Sequence, residues 1–261
     1  MKDKLSLIYK PFLIIAVCII AGYSFLNWLV FIKIKAFSLN EEIIKLWIPM
    51  ALPWIPLVIW LRPRIKLLNL KTTRKSDFPS LYVMMAGFAI ALPTIIAQFY
   101  IETASGTLTK LENISKIELM PETKYYSLQN FYIDKANPGI QSSLSTSGRY
   151  NEDLNMDLYI VLPIVTSQNN TDSSNCKGWY GIKYHKQISN RLSDEEKDTA
   201  YNRFIAESQA QFDTTDVNRF VYLDRIGNTD DHTEYNTAIK NNKLYASKST
   251  IVLIPVNEPF E

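Results

Sequence analysis

Few side chains in this 261-residue sequence could do chemistry, and their spacing argues against most of it. His185 and His232 are the only histidines, and neither has a His or Cys at ligand spacing, so a zinc site is not expected. Ser-x-x-Lys occurs as Ser174-Asn-Cys-Lys177, without a Ser-Asp-Asn or Lys-Thr-Gly companion, and Gly-x-Ser-x-Gly is missing altogether. Ser105-Gly106 and Ser147-Gly148 lie in turn-like contexts that would not hold a nucleophile. The acidic run Asp194-Glu195-Glu196 follows Ser193, whose spacing to Glu196 makes a capping box, so these carboxylates read as the start of a helix. Asp224, Asp230 and Asp231 around Gly227-Asn228 lack the alternating ligands and closing Glu of a calcium loop, and read as a turn with a helix cap. Tyr125, Tyr126, Phe131 and Tyr132 could line a binding face, but such residues more often form sheet core and cross-strand pairs. Cys18 lies in an apolar run and Cys176 far from it, so the two do not bridge, and Cys176 is expected to be a buried, inert thiol. The predicted protein is therefore not an enzyme, with no catalytic, cofactor-binding or metal residues.

The elements that carry these residues fall in two halves, 1–101 and 102–261. Pro11–Ile32 and Leu81–Ile101 are uncharged and long enough to cross about 30 Å of hydrocarbon at about 1.5 Å per residue. Leu46–Leu61 is shorter and is expected to extend back through Ile43 and Ile44, with Lys45 snorkelling and Trp47, Trp54 and Trp60 as interfacial anchors. Between the second and third runs, Arg62, Arg64, Lys66, Lys71, Arg74 and Lys75 form a basic loop without an acid until Asp77. With Lys2, Lys4 and Lys10 they outnumber Lys33, Lys35 and Lys45 of the first loop, which predicts a cytoplasmic amino terminus and places 102–261 across the membrane. In a bacterium this is an inner-membrane protein with a periplasmic domain.

Charge follows the same division. Residues 1–101 carry +8 and residues 102–261 carry −6, a contrast hidden by the overall +2. The acidic half lacks a basic patch to track phosphates, which excludes nucleic acid as an expected partner. The first apolar run is too long for a signal-peptide core and lacks a small-x-small cleavage site, so it reads as an uncleaved anchor. Val17 before Cys18, and Ile19-Ile20 after it, do not fit a lipoprotein site. Asn27, Ser24 and Gln98 are the strongly polar residues within the spans and are expected to make interhelical hydrogen bonds. Pro49, Pro53 and Pro56 should leave the second helix bent or irregular, in need of shielding by neighbours.

The second half reads as an α+β domain with a mostly antiparallel sheet. Strands are predicted at Leu108–Leu119, Lys124–Ile133, Asn155–Val165, Trp179–Gln187, Arg219–Ile226 and Ser249–Val256. Helices are predicted from Ser193 to about Phe212 and over Asp231–Asn241, and loops over Gln141–Gly148 and Ser167–Ser174.

The string Ala51-Leu-Pro-Trp-Ile-Pro-Leu-Val-Ile-Trp-Leu-Arg-Pro-Arg64 resembles an amino-terminal extension of certain bacterial rhomboid-family membrane proteins. So do Pro93-Thr-Ile-Ile-Ala-Gln98, Lys186-Gln-Ile-Ser-Asn-Arg-Leu-Ser-Asp-Glu-Glu196 and Phe220-Val-Tyr-Leu-Asp-Arg-Ile-Gly-Asn228. The resemblance implies an anchored extension that precedes a six-helix intramembrane serine protease core. That core needs a serine and a histidine within spans, and this chain has no such pair, so no catalytic residue carries over. The chain would then be the extension alone, ending after the strand near Ile251–Val256, or a separate protein using the same extension. The function expected is a non-enzymatic, membrane-anchored module whose periplasmic domain binds another membrane protein or subunit. The alternative is an extracytoplasmic sensor or ligand-binding domain coupled to the helices; a hydrolase would require clustered titratable groups in a cleft.

Overall fold

The computed structural model describes residues 5–35, 39–67, 78–167, 176–245 and 250–260. The chain divides into two compact units, Met1–Gly106 and Thr107–Glu261.

Among the described residues, the first unit contains three helices long and apolar enough to cross a membrane: α1 (Ser6–Lys33), α2 (Ile43–Leu67) and α3 (Pro79–Ser105). They pack through Ile15 and Ile19 of α1, Leu57, Leu61 and Ile65 of α2, and Val83 and Ile90 of α3. Their remaining apolar surface faces outward, as at Val17 (62% exposed), Ile59 (72%) and Ile96 (68%), which suits lipid rather than water. Arg62, Arg64 and Lys66, expected in the basic loop, form the last turns of α2, while Lys71, Arg74 and Lys75 lie outside the described residues. As the three prolines predict, α2 is irregular, with a turn at Leu52-Pro53 between short helical pieces and wide turns at Ile43–Trp47 and Leu57–Leu61.

Polar residues inside this unit satisfy one another. Asn27 Nδ2 donates to Gln98 Oε1 at 2.7 Å, and Gln98 Nε2 donates to Ser24 Oγ at 3.0 Å and to the Thr94 carbonyl at 2.9 Å. These bonds tie α1 to α3, as the sequence suggests. Two expectations change. Lys45, rather than snorkelling alone, pairs with Glu41 and Glu102. Trp54 sits half-buried in the middle of α2, stacked edge-on against Phe88 and lying over Gly87, whose missing side chain makes room for it. Trp47 and Trp60 are exposed near the helix ends, Trp60 beneath the Arg64 guanidinium at 4.8 Å.

Among the described residues, the second unit is one eight-stranded sheet with a helix on each face. Its elements are β1 (Leu108–Asn113), a 3-10 segment (Ile114–Leu119), β2 (Tyr125–Asn130), β3 (Tyr132–Ile133), β4 (Gly139–Ser147), β5 (Asp153–Val165), β6 (Gly178–Ser189), α4 (Asp194–Thr214), β7 (Tyr222–Arg225), α5 (Asp230–Asn241) and β8 (Val252–Val256). The spatial order is β1-β2-β7-β8-β6-β5, with β3 and β4 lying one after the other along the outer side of β5. The sheet is mixed, not the mostly antiparallel one predicted, because β1 runs parallel to β2 and β6 parallel to β8. Each parallel pair needs a crossover. The 3-10 segment supplies the first, and α4, β7 and α5 together supply the second.

Alternation along β5 divides the core. Met156, Leu158, Ile160, Leu162 and Ile164 meet Phe204 and Phe212 of α4, while Tyr159, Val161 and Val165 belong to the cluster of Tyr235, Ala238 and Ile239 on α5. The strand continues through Pro163 to Val165, as the predicted span Asn155–Val165 has it. The Pro163 carbonyl accepts from the Asp134 backbone N–H at 3.0 Å, just where the chain breaks between β3 and β4, so the missing proline N–H costs no ladder bond. The predicted first strand Leu108–Leu119 is shortened to β1. Ile114 and Ile117 are both buried at a spacing of three, which a 3-10 turn delivers to one side and a strand does not.

Candidate interaction edge

The predicted loop Gln141–Gly148 is instead β4, and it forms one edge of the sheet. Its sequence, Gly-Ile-Gln-Ser-Ser-Leu-Ser-Thr-Ser, has no apolar alternation of its own; pairing with β5 from Gly139↔Val161 to Ser147↔Asp153 imposes the extended form. A tight connection returns the chain, with Gly148 at φ +87° and Asn151 at φ +54°. There Glu152 accepts the Tyr150 N–H at 2.7 Å, which holds its carboxyl below the usual carboxylate range.

The position of β4 is set by α5. A Cβ on Gly139 would stand 2.3 Å from the Ala238 carbonyl oxygen and 2.8 Å from Val161 Cγ2, so only glycine allows the helix to lie this close. Asn241 at the helix end donates to the Ile140 carbonyl at 2.9 Å, and Asn242 donates to the Asn137 carbonyl at 2.8 Å.

In an antiparallel ladder alternate residues turn both backbone groups away from the partner strand. The Ile140 and Ser142 carbonyls accept from side chains, Asn241 and Gln141, which marks Ile140, Ser142, Leu144 and Thr146 as the outward set. Among the described residues no strand pairs with this outer side of β4. Natural sheets guard such edges with charge or proline. β4 has neither along its nine residues, and it exposes Ile140 (43%) and Leu144 (58%) on the α4 side of the sheet.

On the α5 side, neighbouring rows of β5 and β6 hold a polar constellation. Asp231 Oδ1 accepts from Tyr159 Oη at 2.7 Å and from Lys183 Nζ at 2.8 Å. Asp157 Oδ1 lies 2.8 Å from His185 Nδ1 and 3.5 Å from Lys183 Nζ. Burial and the Asp231 carboxylate push the Tyr159 phenol far above its usual range, so it stays a donor. These bonds pin the first turn of α5 to the sheet. Ser143 Oγ donates to Glu234 Oε1 at 3.4 Å, and Asp157 is across the ladder from both Ser143 and His185.

The residues singled out in the sequence scatter through the unit. His232 lies in α5 near the Thr250 carbonyl (3.3 Å), and no group of three or more His, Cys, Asp or Glu able to hold a metal occurs among the described residues. Ser193 and Glu196 form the predicted capping box, and Glu196 is held below its ordinary range by the Ser193 N–H and hydroxyl. Thr229, not an aspartate, caps α5; Asp224 lies on β7 near Lys124. Lys177 pairs with Glu118 at 2.9 Å, and Ser174 lies outside the described residues, as does most of the Ser167–Ser174 loop. Tyr126 is fully buried, Tyr125 stacks edge-on with Tyr222 and Phe260, and Phe131 packs on Phe220 at 5.2 Å, so these aromatics build core rather than a binding face. Cys176 is buried, and desolvation pushes its thiol up to about 12, which leaves it unreactive near neutrality. A shallow depression along α4, lined by Glu195, Glu196, Thr199, Ala200 and Arg203, is open and lies on one helix.

No family model matches the chain, and neither curated proteins nor solved structures give a match.

Proposed function

We propose that this chain is a non-enzymatic, membrane-anchored interaction module. α1–α3 hold it in a bacterial inner membrane with the amino terminus cytoplasmic, and residues 102–261 meet a protein partner in the periplasm. The partner adds a strand to β4. The single observation behind this is that β4 offers an uncharged edge, unpaired by any strand among the described residues, with two exposed apolar side chains, the feature on which strand addition depends. The rhomboid resemblance suggests that the partner is a polytopic membrane protein, with this module accessory to a rhomboid-like domain or preceding it.

Purification from mild detergent of the wild type and of Leu144→Lys tests this. The wild type is expected to retain a second membrane subunit, and the charge at the edge to release it. A subunit retained equally by both would place recognition elsewhere, and a wild type that stays strictly monomeric and alone would argue against an interaction module.

A further inference from the structure

Resting on that reading, we infer that the strand added to β4 is the β4 of a second copy of this chain, giving an antiparallel, two-fold symmetric edge-to-edge pair. Three features of the edge point to its own copy. An isologous contact brings each residue against its symmetry mate or near it, so any charge near the axis would meet its like. β4 carries no charge of its own, and the Glu234 carboxylate beside Ser143 belongs to α5 and not to the strand.

The second feature is register. For both strands to exchange backbone hydrogen bonds, outward residues must oppose outward residues, and the outward set is Ile140, Ser142, Leu144 and Thr146. Centring the two-fold axis on Leu144 satisfies this: Leu144 faces Leu144 of the other copy, and Ser142 faces Thr146. The odd residues then oppose as Ser143 with Ser145 and Gln141 with Ser147, in close, non-hydrogen-bonded pairs.

The third is that this register leaves the Ile140 contact in place, and asks only the Gln141 side chain to yield or share the Ser142 carbonyl. Ile140, whose carbonyl is occupied by Asn241, falls outside the paired stretch, so the α5 contact survives pairing. The most exposed apolar side chain of the edge, Leu144, becomes the central cross-strand pair. The odd residues lie on the α5 side, where Gln141, Ser145 and Ser147 set small polar groups against one another without a buried charge.

The test uses the full chain in mild detergent. Size-exclusion chromatography with light scattering is expected to show a dimer for the wild type and a monomer for Leu144→Lys, which sets two ammonium groups face to face. Ser143→Cys mixed with Ser145→Cys is expected to give a disulfide-linked dimer under mild oxidation, while each variant alone gives several-fold less. A wild-type monomer, or a dimer that persists in Leu144→Lys, overturns the self-pairing. If Leu144→Lys nonetheless releases a different co-purified membrane subunit, strand addition stands and only the second copy fails. If neither state nor composition changes, both fail. Equal cross-linking of either cysteine variant alone overturns the register and with it the Leu144 axis.

Discussion

Gly139→Ala reports on the contact that places β4. The added methyl would meet the Ala238 carbonyl oxygen at 2.3 Å and Val161 Cγ2 at 2.8 Å, both inside the 3.0 Å that real Cβ contacts keep. The oxygen belongs to the main chain of α5, so it cannot swing aside as a side-chain tip can; the helix itself must retreat from the strand. Overpacking of this kind costs about 1–3 kcal/mol, and two clashes, one with backbone, place Gly139→Ala near about 3 kcal/mol. For a unit the size of Thr107–Glu261 that corresponds to a fall of roughly 6–12 °C in its melting temperature, at about 2–4 °C per kcal/mol. Differential scanning calorimetry of the full chain in detergent measures it. Ala238→Gly should not rescue the variant, because the obstructing atom is not in the Ala238 side chain, and as a helix-interior glycine it should cost about 1 kcal/mol more. A Gly139→Ala protein melting within about 1 °C of wild type would refute the close packing of α5 on β4.

Further outcomes follow from other contacts. Gln98→Leu leaves the buried Asn27 amide without its acceptor and should destabilise the three-helix unit by about 1–2 kcal/mol in denaturant titration, with Asn27→Leu in the same chain restoring part of the loss. Ser193→Ala removes the cap of α4 and should cost about 1 kcal/mol, read by the same calorimetry. Cys176 and Tyr180 are both pushed up to about 12 by burial, from 9.0 and 10.0. Between about pH 9 and 12 the unfolded chain therefore loses protons that the folded chain keeps, so stability is intact below pH 9 and falls as pH rises through that window; rising stability across it in urea titrations would contradict the burial of these groups. For orientation, a membrane-impermeant maleimide should label Ser145→Cys in intact spheroplasts and Ser76→Cys only after permeabilisation.

The sequence made some of this architecture legible because the signals are local. The capping box at Ser193, the apolar lengths of the spans, and the Asn27, Ser24 and Gln98 hydrogen bonds all depend on short-range pattern or on the high cost of polar groups in an apolar setting. β4 was hidden because Ser, Thr and Gly carry a turn signal, while its extended form comes from nine cross-strand partners on β5. The parallel pairing of β6 with β8 was hidden for the same reason, since it joins residues more than seventy positions apart. Trp54 looked like an interfacial anchor because Gly87, which receives it, lies on another helix. Asp231 reads as a helix-cap residue in sequence, and only the fold brings it to Tyr159 and Lys183. A weak clue did exist: Asp157 and Tyr159, like Lys183 and His185, are spaced by two and so share a face of their strands.

The most direct measurement is site-specific photo-crosslinking in intact cells, with a photoreactive residue in place of Leu144 on the β4 edge or, for comparison, Asn202 on the exposed side of α4. A discrete protein adduct from position 144, and none from position 202, is the predicted result. No adduct at 144, or equal adducts at both positions, would contradict the claim that β4 is where this protein meets its partner.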